Sequence, residues 1–267
     1  MKSICFLAQF PPPMHGLSKA VETLYNSWLK EKYHFSKIDI TNNKRIFLSL
    51  IALMRCKNDI VYFTLSQTRG GNLRDLLFLN VIQWRQKKCI VHIHGGYFRQ
   101  LIDQDVPAWQ RKINYYAVKR LAGGIVLGHS LHGIFEGMLP EERIFVCPNC
   151  VDDTYIAPSI DGKIEKMKAS GALHVLYLSN FIESKGYKEV LELARMASER
   201  GDKNKFVFHF AGKFFNPKED AYFKKYSRGL ENVVYHGVVG GQDKVNLLNK
   251  CHIFSLLSRY PNEGQPI

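Results

Sequence analysis

The sequence predicts an α/β protein built from two Rossmann-like, doubly wound domains, the second of them incomplete. Three observations carry this expectation. Strand-length apolar runs alternate with helix-period segments along the chain, the pattern of right-handed crossovers between parallel strands. The polar stretch 158–172, with Asp161, Gly162, Lys163, Lys166 and Lys168, interrupts that rhythm, which restarts at His174. The loops at strand C-terminal ends collect Gly, His, Lys and Glu, where open α/β sheets place their ligands. The expected organisation is a first domain over 1–157, a linker over 158–172 and a partial second domain over 173–267.

A length of 267 residues, 46% of them hydrophobic, is ample for one large core or two smaller ones. No apolar run reaches the roughly 18–20 residues needed to span a bilayer. The run that begins at Met1 is short and ends in Gln9 and three prolines, so it reads as a first strand, not a signal peptide. The formal charge of +13 suits a phosphate-rich partner: a nucleotide, an anionic lipid surface or nucleic acid. No nucleic-acid-binding signature accompanies it, so no nucleic acid partner is expected. The six cysteines are scattered, mostly in apolar runs, as reduced buried thiols of a cytoplasmic protein would be. Cys147-Pro-Asn-Cys150 has redox-motif spacing, but the residues after it do not open a helix. No second ligand pair completes a zinc site, so no metal or cofactor is expected.

In order, 3–9 is an apolar strand and 11–16 a stiff loop ending in Gly16. Ser18 is the expected N-cap of a helix carrying Val21, Leu24, Tyr25, Trp28 and Leu29 at helical spacing. A helix start after a glycine-containing loop exposes unpaired N–H groups that suit a phosphate. Strand 34–40 is followed by a helix over 44–56. Its apolar face is wide and is flanked by Lys44, Arg45, Arg55 and Lys57. Such a helix either touches lipid or packs on the sheet, packing being the commoner outcome. Strand 59–65 and helix 73–84 follow. The strand from Lys88 ends in His94-Gly95-Gly96, with His92 and His94 on one face. His92 reads as a core residue. His94, at the strand end, can donate to a sugar hydroxyl or a phosphate oxygen. Helix 105–121, strand 124–129, a helix over 131–138 capped by Ser130, and strand 143–149 complete the first half.

In the second half, strand 174–178 leads into a loop with Asn180, Lys185 and Gly186 before a helix over 187–200. A lysine there reaches an anion that also faces the helix N-terminus. Strand 206–210 ends at Gly212 and Lys213. Helix 219–228, strand 233–237 and helix 243–249 then lead to a buried strand, 253–257, and to a polar loop with Glu263, Gly264 and Pro266.

These loops resemble those of the retaining glycosyltransferases of family 4, over nearly the whole chain. Glu263-Gly264-Gln265-Pro266 resembles the opening of that family's E-G-x-P-x-x-x-x-E motif, whose second glutamate would fall beyond Ile267. His92-Ile-His94-Gly95 matches a H-x-H-G pattern common there. Lys185-Gly186 matches the end of G-R-x-x-x-x-K-G, with Asn180 in place of the arginine. Asn149-Cys150-Val151-Asp152 resembles N-G-V-D, and His15-Gly16 stands where a Gly-Gly pair is usual. The resemblance implies the GT-B arrangement of two Rossmann-like domains. It implies transfer of a sugar, of hexosyl type, from a nucleotide-sugar donor to a sugar or lipid-linked acceptor hydroxyl with retention, in cell-surface polysaccharide or glycolipid assembly. His94, Lys185 and Glu263 would be the catalytic set. Gly16, Asn180, Lys185, Gly186, Gly212, Lys213, Glu263 and Gly264 would contact the donor. A peripheral position on an anionic membrane surface suits a lipid-linked acceptor. With half of the motif present, the chain is expected to be part of a longer one and inactive alone. The alternatives are a nucleotide-sugar epimerase of the same fold, and a non-catalytic basic protein that binds anionic membrane or nucleic acid.

Overall fold

The computed structural model describes residues 1–13, 16–150, 162, 164–165, 171–261 and 263–265. The chain forms two compact units, Met1–Cys150 together with Pro261–Ile267, and Val151–Tyr260. The sequence reading ran the second domain to the chain's end. Instead, residues 263–265 lie against the first unit, for the packing reason given below.

The first unit holds six parallel strands, β1 (Ser3–Ala8), β2 (His34–Asp39), β3 (Ile60–Thr64), β4 (Lys88–His92), β5 (Gly123–Val126) and β6 (Ile144–Val146). Their order is β2-β1-β3-β4-β5-β6, so the chain reverses direction across the sheet at β1. Right-handed crossovers then place α1 (Gly16–Tyr25) on one face. They place α2 (Ile46–Arg55), α3 (Arg69–Trp84) and, after a helical turn α4 (Phe98–Gln100), α5 (Ala108–Lys119) on the other. The two-residue period of β1 shows this division. Cys5 and Leu7 join a core with Leu53, Phe78, Leu79 and Val118, while Phe6 and Ala8 pack with Val21 of α1. Between α3 and α5 sits a buried amide cluster. Asn72 Nδ2 donates to Asn114 Oδ1 at 2.8 Å, and Gln110 Nε2 and Asn114 Nδ2 both donate to Asn72 Oδ1 at 2.8 Å.

Several local expectations are corrected. Ser18 is not an N-cap: the helix has already begun at Gly16, and the buried Ser18 hydroxyl donates to the Pro13 carbonyl at 2.9 Å. That helix stops at Tyr25, and Trp28–Glu31 is a separate 3-10 turn. The α3 helix starts earlier than expected because Thr68 Oγ1 caps the N–H of Gly71. Before α5, Leu101–Asp105 is π-helical and Pro107 occupies the N-cap. The helix expected over 131–138 is a 3-10 segment, His129–Phe135, with Gly128 and not Ser130 in the cap position. Gly133 and Gly137 within this stretch weaken α-helix propagation.

The second unit holds four parallel strands, β7 (Leu173–Leu178), β8 (Phe206–Ala211), β9 (Val233–Tyr235) and β10 (Ile253–Phe254), in the order β10-β7-β8-β9. Helices α6 (Tyr187–Glu199), α7 (Pro217–Ser227) and α8 (Gly241–Lys250) connect them. One face is packed with aromatic rings, among them Tyr177, Phe181, Tyr187, Phe210 and Phe223. The other carries Leu176, Ala211, Leu247 and Cys251. The expected buried strand over 253–257 is a short edge strand with Ile253 and Phe254 exposed. Its apolar sequence misled because an edge position covers only part of each side chain. Cys5, Cys56, Cys89 and Cys251 are buried free thiols, while Cys147 and Cys150 are exposed and also free.

Candidate functional site

Each sheet has one point where the strand order reverses, and loops diverge there to leave a crevice at the strands' C-terminal ends. In the first unit this point lies between β1 and β3, and in the second between β10 and β7.

In the first unit, parallel pairing continues past β4 through the Ile93 N–H, which donates to Ile125 O at 3.0 Å, and the chain then turns at His94-Gly95-Gly96. The His92 and His94 rings lie against one another, tilted by 35°, with centroids 3.9 Å apart. The Tyr62 hydroxyl, from β3, is 2.7 Å from His92 Nδ1 and 3.5 Å from His94 Nε2. Burial, reinforced by His94, pushes His92 down to about 2, and burial pushes His94 down to about 4, so both rings are neutral at pH 7. Burial, with Cys147 adding to it, pushes the Tyr62 phenol upward, and it stays protonated. Buried ring nitrogens His92 Nε2 and His94 Nδ1 have no hydrogen-bond partner among the described residues. A buried polar atom left this way costs stability unless something else bonds it.

The closing segment covers this turn. A Cβ at Gly264 would lie 2.9 Å from Gly95 Cα and from His94 O, and one at Gly96 would lie 3.0 Å from Glu263 O. Only backbones without side chains can meet so closely. Asn149 fastens the segment from the other side: its N–H donates to Gln265 Oε1 at 2.7 Å and its Nδ2 to Gln265 O at 3.0 Å. The structure thus brings the main chain of Glu263 and Gly264 to the His94-Gly95-Gly96 turn. Gly16 opens α1 at the end of β1, two strands from β4, and is exposed. His15 and Pro266 lie outside the described residues.

In the second unit, the loop after β7 contains a 3-10 turn, Glu183–Lys185, and enters α6 through Gly186. Gly186 has φ +82°, and a Cβ there would lie 2.5 Å from Leu257 O. The tight turn therefore needs glycine on both counts. It sets Lys185 at the N-terminus of a helix, where main-chain N–H groups and the helix dipole favour an anion. Lys185 Nζ lies 5.3 Å from the centre of the Tyr260 ring. Next to this turn, the Ser179 N–H donates to Ala211 O at 3.1 Å and the Phe181 N–H to Lys213 O at 3.0 Å. These bonds bring Asn180 beside Gly212 and Lys213. Asn180 and Lys213 are exposed.

Three residues that sequence reasoning did not single out belong to these corners. Tyr62 bridges the two histidines from a neighbouring strand. Gln265 docks on Asn149. Arg259 donates its main-chain N–H to Ser184 O at 2.6 Å and its guanidinium to Glu189 of α6. Arg259 thus brings an ion pair with Glu189 beside the Glu183–Lys185 turn. Its only sequence signal is a basic residue two positions after Leu257, in a loop whose neighbour depends on strand order. Among the described residues, no group of three or more His, Cys, Asp or Glu is placed to hold a metal ion. None of the described helices is long and apolar enough to cross a membrane.

Residues 163–267 match the family described as glycosyl transferases group 1. No curated protein matches the chain in sequence. The fold is shared with solved proteins at low identity. Anabaena HepE in complex with UDP is 14% identical, with a TM-score of 0.63, over 98% of this chain and 75% of that one. Sucrose-phosphate synthase from Thermosynechococcus elongatus is 12% identical, with a TM-score of 0.65, over 99% and 77%. A Listeria monocytogenes protein assigned as a UDP-N-acetylglucosamine 2-epimerase is 12% identical, with a TM-score of 0.58, over 95% and 74%. The two parallel-sheet units are those of the GT-B fold.

Proposed function

We propose that the chain is a retaining glycosyltransferase of family 4 that uses a nucleotide-sugar donor, with a uridine nucleotide as the first candidate. One observation carries the reading. At the strand-order reversal of the second unit, Lys185 sits at the start of α6 behind a glycine that no other residue can replace without a clash. This corner falls within the segment matched by the group 1 family. In such a transfer the bond from the anomeric carbon to the diphosphate breaks, and negative charge grows on the leaving oxygen. Lys185 and the N–H groups of α6 are the groups we assign to that charge. Asn180, Gly212 and Lys213 would line the same loop pair. His94 would donate from its neutral ring to a sugar hydroxyl, Glu263 would fix the sugar through its carboxylate, and Gly264 would let the backbone approach. Gly16, at the start of α1, is assigned to the acceptor or phosphate side. The acceptor we propose is a sugar or lipid-linked hydroxyl in surface polysaccharide or glycolipid assembly. No metal or cofactor is assigned a part.

Calorimetry of the chain against UDP-, GDP- and ADP-sugars tests this. One of them should bind, and Lys185→Ala should weaken that binding about tenfold to a hundredfold, the worth of one charge-assisted hydrogen bond. Its melting curve should stay that of the parent. Unchanged affinity in Lys185→Ala removes this lysine from the site, and binding of none of the three donors removes the reading. The epimerase reading draws on the shared fold with the Listeria protein. Incubation of the donor without acceptor separates the two, because an epimerase converts the sugar and a transferase leaves it.

A further inference from the structure

The helix layer on one face of the first unit carries apolar side chains outward on every member. On α2, Phe47 is 75% exposed and Leu48 64%, with Ile51 and Met54 a turn or two further along the same side. On α3, Leu73, Leu77 and Trp84 recur at helical spacing, Trp84 being 70% exposed. On α5, Trp109, Ile113 and Tyr116 do the same, Trp109 being 53% exposed. The inward sides of these helices are already occupied, by Ser49 and Leu53, by Leu76, Phe78, Leu79 and Ile82, and by Ala117 and Val118. Since α2 packs on α3 and α3 on α5, the outward stripes belong to one layer.

The charge of this layer has a single sign. Lys44, Arg45, Arg55, Lys57, Arg69, Arg85, Arg111, Lys112, Lys119 and Arg120 are exposed on these helices or at their ends. Asp75 is the one carboxylate within the three helices, and it is buried against Arg74. Asp103 and Asp105, from the π-helical segment, engage Arg111 at 3.3 Å and Arg69 at 4.0 Å, which leaves the remaining cations of the layer to face outward. Exposed apolar stripes rimmed by cations, with tryptophan and tyrosine among them, fit the boundary of an anionic bilayer. A second copy of the same face would set like charges against one another across a two-fold axis.

We infer that the outer surface of α2, α3 and α5 docks on an anionic lipid bilayer. The docking stands apart from the sugar-transfer reading and can be tested without any donor. The chain is floated with vesicles of phosphatidylcholine alone and of phosphatidylcholine mixed with phosphatidylglycerol. It should rise with the mixed vesicles and stay behind with the neutral ones, and added salt should release it. In a Trp28→Phe background, brominated lipid should quench the fluorescence of Trp84 and Trp109. The pair Phe47→Ser/Trp109→Ser and the pair Lys112→Glu/Arg120→Glu should each lower the bound fraction about tenfold or more. All four positions are exposed, so circular dichroism melts should match the parent. Three results overturn the inference: no flotation of the parent chain with anionic vesicles, equal flotation of parent and variants, or a vesicle-free dimer that Phe47→Ser dissolves.

Discussion

Replacing Gly212 by alanine should destabilise the second unit by about 3–5 kcal/mol, combining backbone strain with a steric clash. Its φ of +151° is one that residues with a side chain rarely adopt. A Cβ there would sit 1.9 Å from the Ser179 carbonyl oxygen. The obstacle is main chain, held by the Ser179 N–H to Ala211 bond, so it cannot swing aside as a side-chain tip would. Gly229 is the matched control. It has φ +80° and nothing within 4 Å of a would-be Cβ, so Gly229→Ala should cost only about 1 kcal/mol. Urea unfolding followed by hydrogen exchange in β7 and β8 distinguishes the two. Equal losses for both alanines would mean that the close approach at Ser179 is not rigid.

Acid should weaken the first unit as its buried imidazoles are forced to take up protons. An unfolded imidazole takes up a proton near pH 6.5, whereas burial holds His94 down to about 4 and His92 down to about 2. Between those values the unfolded chain binds more protons than the folded one. The histidine contribution is therefore complete above about pH 6.5 and declines as pH falls, by about 1.4 kcal/mol per unit for each buried ring. Asp75 opposes it: burial raises its carboxyl to about 6, so the folded unit takes up that proton first and offsets about one ring's worth between pH 6 and pH 4. For His94 alone the loss down to pH 4 is about 3 kcal/mol. His209 in the second unit is shifted in the same direction by burial, with Lys250 adding to it. The check is the urea midpoint of the first unit between pH 7 and pH 4, in the parent and in His92→Phe/His94→Asn. The double variant should lose this acid-side decline. A parent midpoint that does not move with pH would show that the rings are hydrated.

The fold class was legible because strand-length apolar runs and helix-period segments leave direct marks on the sequence. Helix ends were less so. Ser18 has the chemistry of a cap, but the turn at Pro13 lets the helix begin before it. The α2 helix shows a different limit. A helix apolar almost all round does not say which side faces the sheet, and Leu53 is buried while Phe47 is not. At the candidate site, residue type and strand-end position were enough to single out His94, Lys185, Gly212 and Glu263. Their companions were not legible. Tyr62 meets His92 only because β3 and β4 are neighbours, and Arg259 meets Ser184 only because β10 returns beside β7. Strand order is a property of the whole sheet and leaves no local trace.

The amide cluster of Asn72, Gln110 and Asn114 constrains how this protein can diverge. Asn72 is the hub, bonding both of the others, so an apolar replacement there takes the partner from Gln110 Nε2 and from Asn114 Oδ1 at once. Loss of Asn72 alone is therefore penalised, and descendants of this chain that drop it should drop Gln110 and Asn114 with it. The cluster also fixes the azimuth of α3 against α5. Lineages that abandon it would be free to rotate Trp84 and Trp109 out of phase with one another.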